Sequence, residues 1–95
     1  MKAIPASHYV MPEPAAVHRL VSADGTALHS EVHGPEDGDT VVLVHGWTCS
    51  VPFWAPVVHR LLDRRLRVVV YDLRGHGRSA IPGQTGYSTK ALADD

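Results

Sequence analysis

Two short apolar runs constrain this chain more than any other feature. Val41–Val44 and Val68–Tyr71 are built of β-branched, leucine and tyrosine residues, with no polar residue alternating between them. A run of that kind suits a strand covered on both faces, as in a parallel sheet. Between the runs the period changes. Trp54, Val57 or Val58, Leu61 and Leu62 recur at helical spacing. Ser50 stands where a helix N-cap is expected, and Pro52 is tolerable in a first turn. Pro56 is expected to delay the regular helix by a turn. Asp63, Arg64 and Arg65 close the helix with cations at the end its dipole favours. Residues 41–72 therefore read as strand, helix, strand: a βαβ unit of a mostly parallel sheet.

A hairpin precedes this unit. Val17, Arg19 and Val21 alternate with His18 and Leu20, and Asp24-Gly25 is a strong turn signal between antiparallel strands. Beyond it Leu28, Ser30 and Val32 alternate with His29, Glu31 and His33, which predicts a half-buried strand ended by Gly34-Pro35. Residues 1–16 hold Pro5, Pro12 and Pro14 and read as a loose arm. After the second apolar run comes a glycine-rich loop, LRGHGRSAIPGQTGY, and from Tyr87 to Asp95 the pattern turns helical.

Composition narrows the function classes. With 95 residues, 44% of them hydrophobic, the chain is one small domain at most, of ordinary globular make-up. The formal net charge of -1 gives no excess of either sign to attract nucleic acid or an anionic membrane surface. The single cysteine, Cys49, rules out an internal disulfide framework. The first residues lack the sustained apolar core of a signal peptide, and no apolar stretch approaches the roughly 20 residues that cross a bilayer. A cytoplasmic location is the expectation.

Two motifs follow the two buried strands. The first is His45-Gly46-Trp47 and the second runs Asp72-Leu73-Arg74-Gly75-His76-Gly77-Arg78-Ser79. Ligands of open α/β sheets bind beyond the carboxyl ends of the strands, so both motifs face the place for a site. In order and separated by one helix, the pair resembles the α/β-hydrolase superfamily, and the likeness covers residues 17–95. The resemblance implies a partial α/β-hydrolase domain over those residues, with four strands, the first helix and the start of the next. It implies that Trp47 offers its backbone N–H to the oxyanion of an acyl-transfer reaction, supported by His45 and Gly46. It assigns His45 no role as catalytic base, since the catalytic histidine of the family comes after the nucleophile in the chain. His45 is expected to tie down its loop through its ring nitrogens. Asp72, Arg74, Gly75, Gly77 and Ser79 read as site architecture, with Asp72 accepting loop N–H groups and Arg74 pairing with it.

The resemblance also marks what these residues lack. No Gly-x-Ser-x-Gly elbow occurs among them, so no residue here is a candidate nucleophile or triad member. The implied function is the amino-terminal part of an α/β-fold hydrolase, esterase- or lipase-like, with a serine-type nucleophile downstream and no activity of its own. A small-molecule substrate is implied for the full-length protein, with no metal or organic cofactor. Cys49 precedes a helix start but has no paired base at a matched position. His29 and His33 share a strand face without an evident third ligand, which is a weak metal pattern. Two alternatives stand beside this reading. Gly75-x-Gly77-x-x-Ala80 formally fits a dinucleotide fingerprint, but Ile81-Pro82-Gly83 breaks the chain where a helix is required. Alternatively the chain is a short non-catalytic protein that binds a partner or self-associates through an open sheet edge.

Overall fold

A computed structural model describes residues 3–83 and 86–95. Met1 and Lys2 of the arm, and Gln84 and Thr85 of the glycine-rich loop, lie outside the described residues. Four strands, β1 (Ala16–Val21), β2 (Ala27–His33), β3 (Thr40–Val44) and β4 (Arg67–Tyr71), form one mixed sheet in the order β1-β2-β4-β3. β1 pairs antiparallel with β2, β2 antiparallel with β4, and β3 parallel with β4. This is an α/β-hydrolase-type arrangement, an antiparallel hairpin leading into a βαβ unit, with the sheet left open.

Local chemistry accounts for most of the elements. In the hairpin turn the Gly25 N–H bonds the Ser22 carbonyl (2.9 Å), and the Asp24 side chain accepts the Thr26 N–H (3.0 Å). Between β3 and β4 the chain first makes a 3-10 turn at Val51–Trp54, then the helix α1 (Ala55–Asp63), with Pro56 in its first turn. Proline has no N–H to give, so the regular i→i−4 ladder begins only where its absence costs nothing. The second helix, α2 (Thr89–Asp94), starts after Ser88, whose hydroxyl caps the Ala91 N–H at 3.1 Å. The helix therefore begins two residues later than the Tyr87 of the sequence pattern.

The core lies between α1 and the central part of the sheet. Val51, Val58, Val68 and Val70 are buried together, with Met11, Leu43, Trp54, Leu61 and Leu62 packed around them. Within residues 3–15 a 3-10 turn at Ala6–Tyr9 precedes Met11, and the His8 ring stacks on His59 of α1 at 4.5 Å. The His59 Nε2 also hydrogen-bonds the Val10 carbonyl (2.8 Å). No helix among the described residues is long and apolar enough to cross a membrane.

Three expectations need correction. Val41–Val44 is not covered on both faces. β3 is an edge strand among the described residues, and Val42 and Val44 are 56% and 49% exposed. Helix α1 packs against one face only. β2 is not half-buried either: Leu28 and Ser30 are buried on one face, and Glu31 and His33 on the other. Ser50 sits at the N-cap position but makes no side-chain cap bond. The second helical position is Pro52, which has no N–H, and the Phe53 N–H bonds the Ser50 carbonyl (3.1 Å). The Val51 N–H goes to the Asp72 carboxylate, at 2.7 Å.

Candidate active site

β3 and β4 run parallel, so their carboxyl ends lie side by side. The loops that leave them are His45–Ser50 and Asp72–Ser79, and they are stitched together by side-chain to backbone hydrogen bonds. His45 is buried (3% exposed) and its Nε2 accepts the Leu73 N–H at 3.0 Å. An N–H can only donate, so this nitrogen carries the lone pair and Nδ1 the proton, which it gives to the Gly46 carbonyl (2.8 Å). Both ring nitrogens are thus committed to the loop.

Asp72 is buried and works from the opposite side. Its carboxylate accepts the Val51 N–H at 2.7 Å and the Arg78 N–H at 3.0 Å. One oxygen also lies 3.9 Å from His45 Nε2. Gly77 and Gly75 make this turn possible. Both have positive φ, +48° and +74°. A Cβ on Gly77 would fall 2.4 Å from the Asp72 carboxyl carbon, and one on Gly75 would fall 2.2 Å from the Tyr87 hydroxyl. Ser79 completes the stitching: its hydroxyl donates to the Asp72 carbonyl (2.5 Å) and accepts the His29 N–H (2.9 Å), tying β2 to the end of β4.

Arg74 does not pair with Asp72. Its guanidinium is wholly buried and bonds Asp24 (2.7 Å), Asp95 (2.7 Å) and the Gly86 carbonyl (2.7 Å). Asp72 is already occupied by backbone N–H groups. The five donors of Arg74 reach instead to the β1–β2 turn and to the end of α2. The guanidinium holds the Asp24 and Asp95 carboxyls below the usual carboxylate range, and the two carboxylates raise Arg74 in return. The Thr26 N–H adds to the effect at Asp24, while burial works against it at Asp95.

Trp47 stands at the surface of this framework, 62% exposed. Its indole meets the His76 ring edge-on at 4.8 Å and the Tyr87 ring at 6.0 Å. The two backbone donors that follow it are taken: Thr48 N–H by His76 Nε2 (2.9 Å) and Cys49 N–H by the Gly46 carbonyl (3.1 Å). Among the described residues the Trp47 N–H has no partner. Gly46 has open space where a Cβ would be. Thr48 is held at φ +69°, the left-handed region, which costs a β-branched residue about 1–2 kcal/mol.

The sequence reading passed over His76, although it stands in the second motif as His45 stands in the first. It also passed over Glu31, which lies between His29 and His33 on the same face. The Nε2 atoms of His29 and His33 approach the two Glu31 oxygens at 2.9 and 3.2 Å. Both rings are turned to the carboxylate and not to a shared point. Among the described residues no group of three His, Cys, Asp or Glu side chains is arranged to hold a metal ion.

The chain has known relatives. The profile of the alpha/beta hydrolase fold family matches residues 39–95. The chain belongs to that family. RutD of Variovorax paradoxus, named for carbamate hydrolysis, is 46% identical over 68 residues, covering 72% of this chain and 26% of RutD. EphD of Mycobacterium bovis, named as an oxidoreductase, is 45% identical over 87 residues, covering 90% of this chain and 14% of EphD. Among solved structures, an esterase from Exiguobacterium antarcticum superposes with a TM-score of 0.77 at 32% identity, over 84% of this chain and 29% of the esterase. The chain therefore spans less than a third of the length of these relatives.

Proposed function

We propose that this chain forms the oxyanion wall of an α/β-fold hydrolase whose nucleophile, acid and catalytic histidine belong to a longer protein. The observation that carries the reading is the Trp47 N–H. It has no partner among the described residues while the two amides that follow it, Thr48 and Cys49, are engaged, and it stands just past the carboxyl end of a parallel strand. A donor fixed before the reaction and left without a partner is what stabilises a developing oxyanion. The fixing is done by His45, Asp72 and Ser79, and the turn that carries Asp72 and Ser79 requires Gly75 and Gly77. Arg74 anchors the loop from beneath.

In the full-length protein the substrate is a small molecule with an ester-like bond, and the nucleophile is a serine. An aspartate in its place would shift the chemistry to epoxides or haloalkanes. In the serine case the attack creates a tetrahedral oxyanion that the Trp47 N–H holds, while a histidine moves the proton. Residues 1–95 alone have no nucleophile for this and are inactive.

The test is the product made in the source cells, captured with an antibody to residues 3–16 and treated with a fluorophosphonate probe. A captured product several times longer than 95 residues that takes up the probe on a serine supports the reading. A 95-residue product that turns over an ester overturns the assignment of inactivity.

A second reading has its own observation. The β3 edge is unpaired among the described residues, and Val42, Val44 and Phe53 are exposed. An edge of this kind pairs with another chain. On this reading a short chain is a self-associating, non-catalytic protein, and its oligomeric state decides between the two.

A further inference from the structure

His45 and His76 form a reciprocal clasp. His45 leaves the first loop and takes the Leu73 N–H of the second; His76 leaves the second loop and takes the Thr48 N–H of the first. Each ring gives its other nitrogen to a carbonyl of its own loop, Gly46 for His45 and Arg74 for His76 (2.9 Å). The two rings stand 5.2 Å apart. The Thr48 N–H requires a lone pair on His76 Nε2, so the proton sits on Nδ1 and points to Arg74.

The two halves of the clasp do different work. His45 is buried and sets how the second loop leaves β4. His76 touches the residue that carries the free donor and the residue after it: its ring packs against the Trp47 indole and its Nε2 holds Thr48 in the left-handed region. A β-branched residue stays there only when its surroundings over-determine it, and such strain clusters at functional sites. Two bonds hold this turn, the Thr48 N–H to His76 and the Cys49 N–H to the Gly46 carbonyl. Loss of the first frees the Trp47–Thr48 peptide, and Trp47 loses the tether on its carboxyl side.

We propose that His76 is a positioning residue for the Trp47 oxyanion donor, acting through Thr48. This rests on the hydrolase reading above. The test uses the product as the source cells make it, with His76→Ala and His76→Gln, the glutamine supplying a carbonyl acceptor where Nε2 stood. Where wild type turns over a p-nitrophenyl ester, His76→Ala lowers kcat about ten- to a hundred-fold with KM within about twofold, and His76→Gln restores kcat to within a few-fold of wild type. An unchanged kcat in His76→Ala, a loss confined to KM, or equal impairment in the two variants overturns the proposal. Hydrogen exchange at the Thr48 amide separates the clasp from the chemistry. It speeds up in His76→Ala and not in His76→Gln if the clasp is real, and is alike in all three proteins if it is not. A protein that neither hydrolyses esters nor takes up a fluorophosphonate refutes the serine-hydrolase reading and, with it, the acyl-transfer oxyanion role of His76.

Discussion

The Asp72 carboxylate fills the space that any side chain at position 77 would need, its carboxyl carbon lying 2.4 Å from where a Cβ on Gly77 would stand. The glycine and the aspartate are thus one device: the turn is tight so that the carboxylate can reach two backbone N–H groups. Gly77→Ala forces either the loop or the carboxylate to move and adds the left-handed penalty at φ +48°. The expected loss is more than about 2 kcal/mol, read as a fall in the urea midpoint. Gly83→Ala, where a Cβ meets nothing within 4 Å, serves as control and is neutral or mildly stabilising.

Removing the carboxylate has a different signature. Asp72→Ala strips the acceptor from the buried Val51 N–H and from the Arg78 N–H. An unsatisfied buried donor is expensive, and the loss is roughly 2–3 kcal/mol. Amide exchange at Val51 should rise in this variant while exchange at Val68 and Val70, deep in β4, changes only with global stability. Equal exchange at Val51 in the two proteins would refute the capping role.

The Arg74 cluster makes stability depend on acid. Asp95 and Asp24 both have carboxyls held below their ordinary range, chiefly by hydrogen bonds from Arg74. A depressed carboxyl contributes stability that is present above its unfolded value and lost as pH falls through its folded value. The thermal midpoint should therefore drop as pH goes below about 4, the unfolded carboxylate range. The Asp95 side chain is fully buried and the Asp24 side chain is 45% exposed. Salt should then weaken the acid dependence that remains in Asp95→Asn and leave that in Asp24→Asn nearly intact. Identical salt responses in the two variants would contradict this division.

The edge of β3 predicts association. Val42 and Val44 project from one face of an unpaired strand. Sedimentation of the 95-residue chain should show a concentration-dependent oligomer. Val42→Lys, which puts a charge on that edge, should shift it to monomer without changing the far-ultraviolet spectrum. Monomeric sedimentation of the unsubstituted chain across the same concentrations would eliminate the edge as an interface.

What the sequence determined by itself is what short-range chemistry governs. Asp24-Gly25 specified the hairpin, because turn geometry is set within four residues. The change of period between Val44 and Val68 specified strand, helix, strand, because side-chain periodicity is a property of each element alone. Pro56 fixed where the regular helix begins, since it lacks an N–H. The two motifs were placed at neighbouring strand ends by the parallel βαβ connection. The tertiary structure decided everything that depends on which elements become neighbours. It buried the polar face of β2, exposed one face of β3, and gave the Val51 N–H at the helix start to Asp72. Arg74 found Asp24, 50 residues away, and His76 found Thr48 across 28. No local pattern encodes such pairs. A buried donor takes whichever acceptor the packed elements bring within reach, and that is settled only when the sheet has formed.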